Sequence, residues 1–115
     1  MPIVGKIRRP FGAEVALSLT ATGDQNLTIE TDYTRVDGVT VEATADRTIN
    51  LTIDASVNAG AKILFELKTN GTENSIFGTN ITGPTNVGVA GKTINILFIY
   101  NGTAFVQAGA SVQID

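Results

Sequence analysis

Eight carboxylates between residues 30 and 73 are the first residues that could do chemistry: Glu30, Asp32, Asp37, Glu42, Asp46, Asp54, Glu66 and Glu73. Glu30 and Asp32 lie two apart, so in an extended segment they share a face. Glycoside hydrolysis would need such a pair set across a cleft from one another. Two acids on one strand form a solvated face instead, and no catalytic residue is assigned. Calcium binding would need closely spaced oxygen ligands on one loop, but no Asp-x-Asp-x-Asp-Gly loop is present. Histidine and cysteine are both absent, which removes the usual proton shuttle, the thiol nucleophile and the soft metal ligands. Serine without histidine cannot form the familiar triad. No cofactor or metal is therefore expected, and the chain reads as non-enzymatic.

Two further patterns suggest chemistry but do not carry it. Gly88-Val-Ala-Gly-Lys-Thr93 has Gly-Lys-Thr but lacks the four-residue spacer of a phosphate loop, and it runs into a strand where that loop needs a helix. Asn-x-Thr triplets begin at Asn26, Asn50, Asn70, Asn80 and Asn101. They read as turn and strand-face residues, since no secretory leader is recognised. The start, Met1 to Gly5 followed by Lys6, Arg8 and Arg9, places its charges wrongly for a signal peptide. No apolar run approaches the ~20 residues of a membrane helix. These readings give the expectation of a soluble protein made in a cytoplasm, with no membrane partner.

Charge divides the chain. Residues 1–12 hold Lys6, Arg8 and Arg9 and no acid, whereas residues 13–115 hold five bases and eleven acids. An acidic body does not suit nucleic acid, whose binding depends on neutralising phosphates. The basic arm suits an acidic surface. Lys6, Arg8, Arg9, Pro10 and Phe11 are the expected partner-binding residues, giving an arm at 1–12 and a single domain at 13–115. Exposed aromatics would serve a ligand or sugar, and Tyr33 and Tyr100 are the candidates.

The elements that must position these residues are strands. At 43% hydrophobic and 6% aromatic residues, without Trp, the core must come from Val, Ile and Leu. Apolar and polar residues alternate through Val15–Leu19, Leu27–Thr31, Thr48–Asp54 and Ala61–Lys68. Ile49, Leu51 and Ile53 point one way, and Thr48, Asn50 and Thr52 the other. Thr28, Thr40, Thr48, Thr52 and Thr93 could form ladders on wet sheet faces. Gly23-Asp24, Asp37-Gly38 and Asn70-Gly71 read as turns. Asn101-Gly102, between Ile96–Tyr100 and Ala104–Val106, reads as a closing hairpin. Phe77 and Ile81 are expected to plug the end of the core. The expected fold is all-β: a β-sandwich or jelly-roll-like barrel of about eight short antiparallel strands.

From about Asp46 onward the sequence resembles a β-module of tailed-bacteriophage fibres, head fibres and capsid decoration proteins. The resemblance rests on Arg47-Thr-Ile-Asn-Leu-Thr-Ile53, Gly60-Ala-Lys-Ile-Leu-Phe65, Asn70-Gly-Thr72, Phe77-Gly78, Gly83-Pro84, Ala90-Gly-Lys92 and Ile96–Val106. Such modules end a strand in an aromatic, turn through Asp/Asn-Gly-Thr and resume with an aromatic. Tyr100, Asn101-Gly-Thr103 and Phe105 hold those places here. The chain departs from the pattern in having Phe105 where a Trp often stands. The resemblance implies a virion surface protein, commonly a homotrimer, whose partner is the major capsid protein or another virion protein. A receptor- or carbohydrate-binding module at a fibre tip is the alternative.

Overall fold

The computed structural model describes residues 14–115. Eleven strands are present: β1 (Val15–Ser18), β2 (Gly23–Ile29), β3 (Tyr33–Ala43), β4 (Arg47–Ile53), β5 (Lys62–Thr69), β6 (Asn74–Phe77), β7 (Ile81–Thr82), β8 (Asn86–Val87), β9 (Thr93–Tyr100), β10 (Phe105–Gln107) and β11 (Val112–Gln113). Among the described residues there is no helix. The strands form two sheets. The first runs β1-β3-β5-β9-β10-β7, with β11 added beside β9, and the second runs β2-β4-β6-β8.

The chain changes sheet at every step from β1 to β9, and this dictates the strand directions. β1, β3 and β5 are parallel in the first sheet, and β2, β4 and β6 are parallel in the second. Parallel neighbours need a crossover, ordinarily a helix. Here a strand of the opposite sheet supplies it, so β1–β2, β3–β4 and β5–β6 stack as three successive coils. Antiparallel pairing enters only afterwards, at β6/β8, β5/β9, β9/β10 and β9/β11. The sheets are therefore mixed, and the expectation of an antiparallel sandwich or jelly roll is corrected to two mixed sheets sharing one core.

The turn residues account for the difference. Asp37-Gly38 does not reverse the chain, because β3 runs through it, with a register irregularity against β5 between Gly38 and Ala43. Gly23 and Asn70-Gly71 lie where the chain passes between sheets. Asn101-Gly102 does make a hairpin, closed by a Tyr100–Phe105 pair, with four residues in its loop. The Asn101 carboxamide oxygen accepts the Thr103 and Ala104 amides, and only Gly102 needs a positive φ, at 96°.

Inward residues from both sheets form one core. Ile29, Ile49 and Leu51 of the second sheet meet Val36, Ile63, Phe65, Leu67, Ile96, Phe98 and Phe105 of the first. Phe77 reaches across from β6 to lie 4.8 Å from Phe98 and 6.0 Å from Phe65, centroid to centroid. Phe65 and Phe98 meet edge to face at 5.4 Å, a geometry that their quadrupoles favour. Ile81 is buried, and Phe77 is half-buried against the core, as expected of plugging residues.

One buried residue is charged. Arg47 opens β4 in phase with Ile49 and Leu51, so alternation sends its side chain inward, where it is fully buried. Its Nη1 donates to the carbonyls of Thr20 (3.3 Å) and Val41 (3.1 Å), and its Nη2 to those of Gly38 (3.4 Å) and Lys68 (3.2 Å). The guanidinium thus leaves the second sheet and ties backbone from all three coils. Gly38 makes room for it: a Cβ there would lie 2.9 Å from the Glu66 carbonyl and 3.1 Å from Arg47 Nη2. Gly38→Ala is expected to cost about 1–3 kcal/mol of stability. Urea unfolding would show it as a lower midpoint with an unchanged slope.

Candidate functional site

The outer face of the first sheet carries a groove of about 320 Å³ lined by Arg35, Asp37, Val39, Thr40, Glu66, Thr93 and Ile114. Period-2 alternation puts Arg35 and Asp37 on one face of β3, and the parallel register sets Asp37 beside Glu66 of β5. Arg35 donates to Glu66 Oε1 through Nε (3.1 Å) and Nη2 (2.9 Å), and its Nη1 lies 3.5 Å from Glu14. Glu66 in turn raises the Arg35 pKa above its ordinary value, chiefly through that hydrogen bond. With the Arg35 side chain about half exposed, the pair adds little stability.

Asp37 is held by its own loop. Its Oδ1 accepts the Val39 (2.8 Å) and Thr40 (3.0 Å) amides, and its Oδ2 accepts the Thr40 hydroxyl at 2.6 Å. The Thr40 hydroxyl bond, then these amides, keep its carboxyl below the ordinary 3.8. The opposite wall comes from the end of the chain. Ile114 donates its amide to the Thr93 carbonyl, and Asp115 accepts the Thr93 amide at 2.7 Å. The groove therefore offers two carboxylates, a guanidinium already engaged, two threonines and two apolar side chains. That set can hold a polar ligand by hydrogen bonds. Among the described residues, no three Asp or Glu side chains come together as a metal site would require.

The expected site residues are placed as follows. Lys6, Arg8, Arg9, Pro10 and Phe11 lie outside the described residues. Tyr33 projects from the outer face of the first sheet, 37% exposed. Tyr100 is in phase with buried Ile96 and Phe98, so it turns inward. It stacks on Phe105 at 5.0 Å and donates its hydroxyl to the Gly102 carbonyl. The two tyrosines are thus on opposite faces and form no common platform. Glu30 and Asp32 do not share a strand either, because β2 ends at Ile29. Asp32 instead accepts the Asn58 amide (2.9 Å) and carboxamide (3.0 Å). The side-chain bond, then the amide, lowers its pKa, and Ser56 acts likewise on Asp54.

On the outer face of the second sheet, small polar side chains stand in register. Asn26 pairs with Asn50, and Thr28 with Thr52. Asn50 Nδ2 donates to Asn26 Oδ1 at 3.4 Å, and Asn50 Oδ1 accepts the Thr79 amide. The expected ladder is therefore present for Thr28 and Thr52. Thr93 lies instead on β9, largely buried. Sequence reasoning missed the groove, because the step from Asp37 to Glu66 requires the parallel register.

No protein-family model matches the chain, and no curated protein is similar to it.

The three lowered carboxyls fix the sign of an acid response. Depressed folded-state pKa values contribute stability that is present above about pH 4 and is lost as pH falls through the lowered values. Thermal midpoints of the native chain should hold from neutrality to about pH 5 and then fall steadily below pH 4. Asp37→Asn, scanned over the same range, should show a lower midpoint at pH 7 and a shallower acid limb.

Proposed function

We propose that the chain is a non-enzymatic virion structural protein, a capsid decoration (cement) or head-fibre module. In this reading the compact body faces solvent on the virion surface and the basic arm, residues 1–12, grips the major capsid protein or another virion protein beneath. Neighbouring copies, three in the favoured arrangement, meet through uncharged polar sheet surface. The observation that carries the proposal is the in-register Asn26–Asn50 and Thr28–Thr52 face. Small uncharged side chains there lose little conformational entropy on contact, and the one charge on this stretch of the face, Asp24 beside Thr48, lies at its end, which suits a wet subunit interface. The split between basic arm and acidic body supports it too, as does the resemblance of the chain from Asp46 onward to such modules.

A second reading, a receptor- or carbohydrate-binding module at a fibre tip, is favoured by the groove. Its Asp37 and Glu66 carboxylates and the Thr40 and Thr93 hydroxyls are of the kind that hold sugar hydroxyls. A glycan screen of the native chain and Glu66→Gln separates the two readings. Specific binding that the substitution abolishes would put this reading first.

The leading proposal is tested by binding to undecorated phage capsids. Full-length protein is expected to bind, with affinity falling as salt rises. A chain lacking residues 1–12, and a Lys6/Arg8/Arg9→Ala variant, are both expected to stay folded and to lose at least tenfold in affinity, on the order of 1.4 kcal/mol. Equal binding by all three would remove the arm from the account, and binding by none would remove decoration.

A further inference from the structure

Among the described residues, β1 ends the first sheet and β2 ends the second, so both sheets stop at the same coil. The hydrogen bonds show which backbone groups face away from the stack. Gly23 donates to the Asp46 carbonyl and Ile29 accepts from Asp54, so Gly23, Gln25, Leu27 and Ile29 bond toward β4. In a parallel ladder the alternate residues bond the other way. The amides and carbonyls of Asp24, Asn26 and Thr28 therefore point out of the edge. On β1, Leu19 donates to the Asp37 carbonyl, which sends those of Ala16 and Ser18 outward in the same way. All five residues are exposed.

Among the described residues this edge carries little of the usual protection. β1 is short at four residues and Asp24 is the single charge on β2, while Asn26 and Thr28 leave the rest of that strand open. Edges are ordinarily blunted by Pro, Lys, a bulge or shortness, whereas β2 is seven residues long and its register with β4 is unbroken. The opposite end differs. There the sheets finish in β7 and β8, of two residues each, too short to template a partner strand.

We propose that the first coil is a homodimer contact, in which β1 and β2 of one copy pair with β1 and β2 of a second, head to head. One edge is long and the other is nearly absent, so head-to-tail stacking lacks a matching surface. A two-fold axis across the stack makes both ladders antiparallel in one operation and leaves neither the β1 nor the β2 edge open. It closes after two copies rather than growing a fibre. One coil end covers little area, below about 1,200 Å² in total, so the dimer is weak and concentration-dependent. The contact is separate from the capsid reading and needs no other chain.

Amide hydrogen exchange on the full chain tests it, with mass followed by light scattering. Between about 10 µM and 1 mM the protein should pass from monomer to dimer, and the amides of Ala16, Ser18, Asp24, Asn26 and Thr28 should slow about tenfold together. Gln25, Leu27 and Ile29 serve as controls, protected at both concentrations. Asn26→Pro removes an outward N–H that the chain's own ladder does not use, and should hold the protein monomeric. Ser18→Pro, on β1 and away from the Asn26–Thr28 face, does the same should the first proline variant fail to fold. A monomer at 1 mM with fast edge amides overturns the proposal, as does an oligomer in which these five stay fast. Edge amides protected in a monomer, but exposed in a chain starting at Glu14, would assign the edge to residues 1–13 and also overturn it.

Discussion

The structure depends on one buried guanidinium. A parallel stack of coils has a recurring difficulty at its corners, where the chain leaves one sheet for the other and its carbonyls lose their ladder partners. Arg47 answers this at one corner for three coils at once, taking carbonyls from Thr20, Gly38, Val41 and Lys68. A guanidinium suits the task because it is a planar array of donors with no acceptor. Burial lowers its pKa, opposed by the charge of Glu73, yet Arg remains the side chain least able to give up its proton. No carboxylate pairs with it among the described residues; the compensation comes from backbone dipoles.

That corner constrains its neighbours. Gly38 must lack a side chain, and Ser75, the register partner of Arg47, is small and fully buried. Thr69 is buried nearby and donates to the Gly71 carbonyl, which helps fix the passage from β5 to β6. The outer features depend on the same geometry. The groove exists because the parallel register of β3 and β5 brings Asp37 to Glu66, and the Asn26–Asn50 face exists because β2 and β4 are in register. Small irregularities at the corner would shift every one of these pairs, since a one-residue slip turns a strand's faces over.

Much of the secondary structure was legible in the sequence. Period-2 alternation marked β2, β4 and β5, and Asn101-Gly102 marked the hairpin between β9 and β10. Strand direction was not legible. Gly and Asp inside a strand look the same in sequence as Gly and Asp in a hairpin, so Asp37-Gly38 reads as a reversal although β3 continues through it. The coils also hide their repetition. Val15, Thr34 and Ile63 are stacked on one another, but the two intervals differ, so no repeat appears along the chain. Arg47 gave one signal, its place in phase with Ile49 and Leu51, that alone would have predicted a buried charge. The groove gave none, because its residues come from four separate segments.

Equilibrium urea unfolding of Arg47→Met tests the central claim most directly. Methionine fills a similar volume and restores the hydrophobic phase of β4, but it cannot donate to any carbonyl. If the guanidinium holds the coils together, the variant leaves buried carbonyls without their donor and loses about 1–3 kcal/mol, and amides near Thr20, Gly38 and Lys68 exchange faster than the rest. A buried ion can also be replaced by an apolar side chain at no cost. An unchanged or higher midpoint, with those amides still protected, would contradict the account and leave the apolar core as what joins the coils.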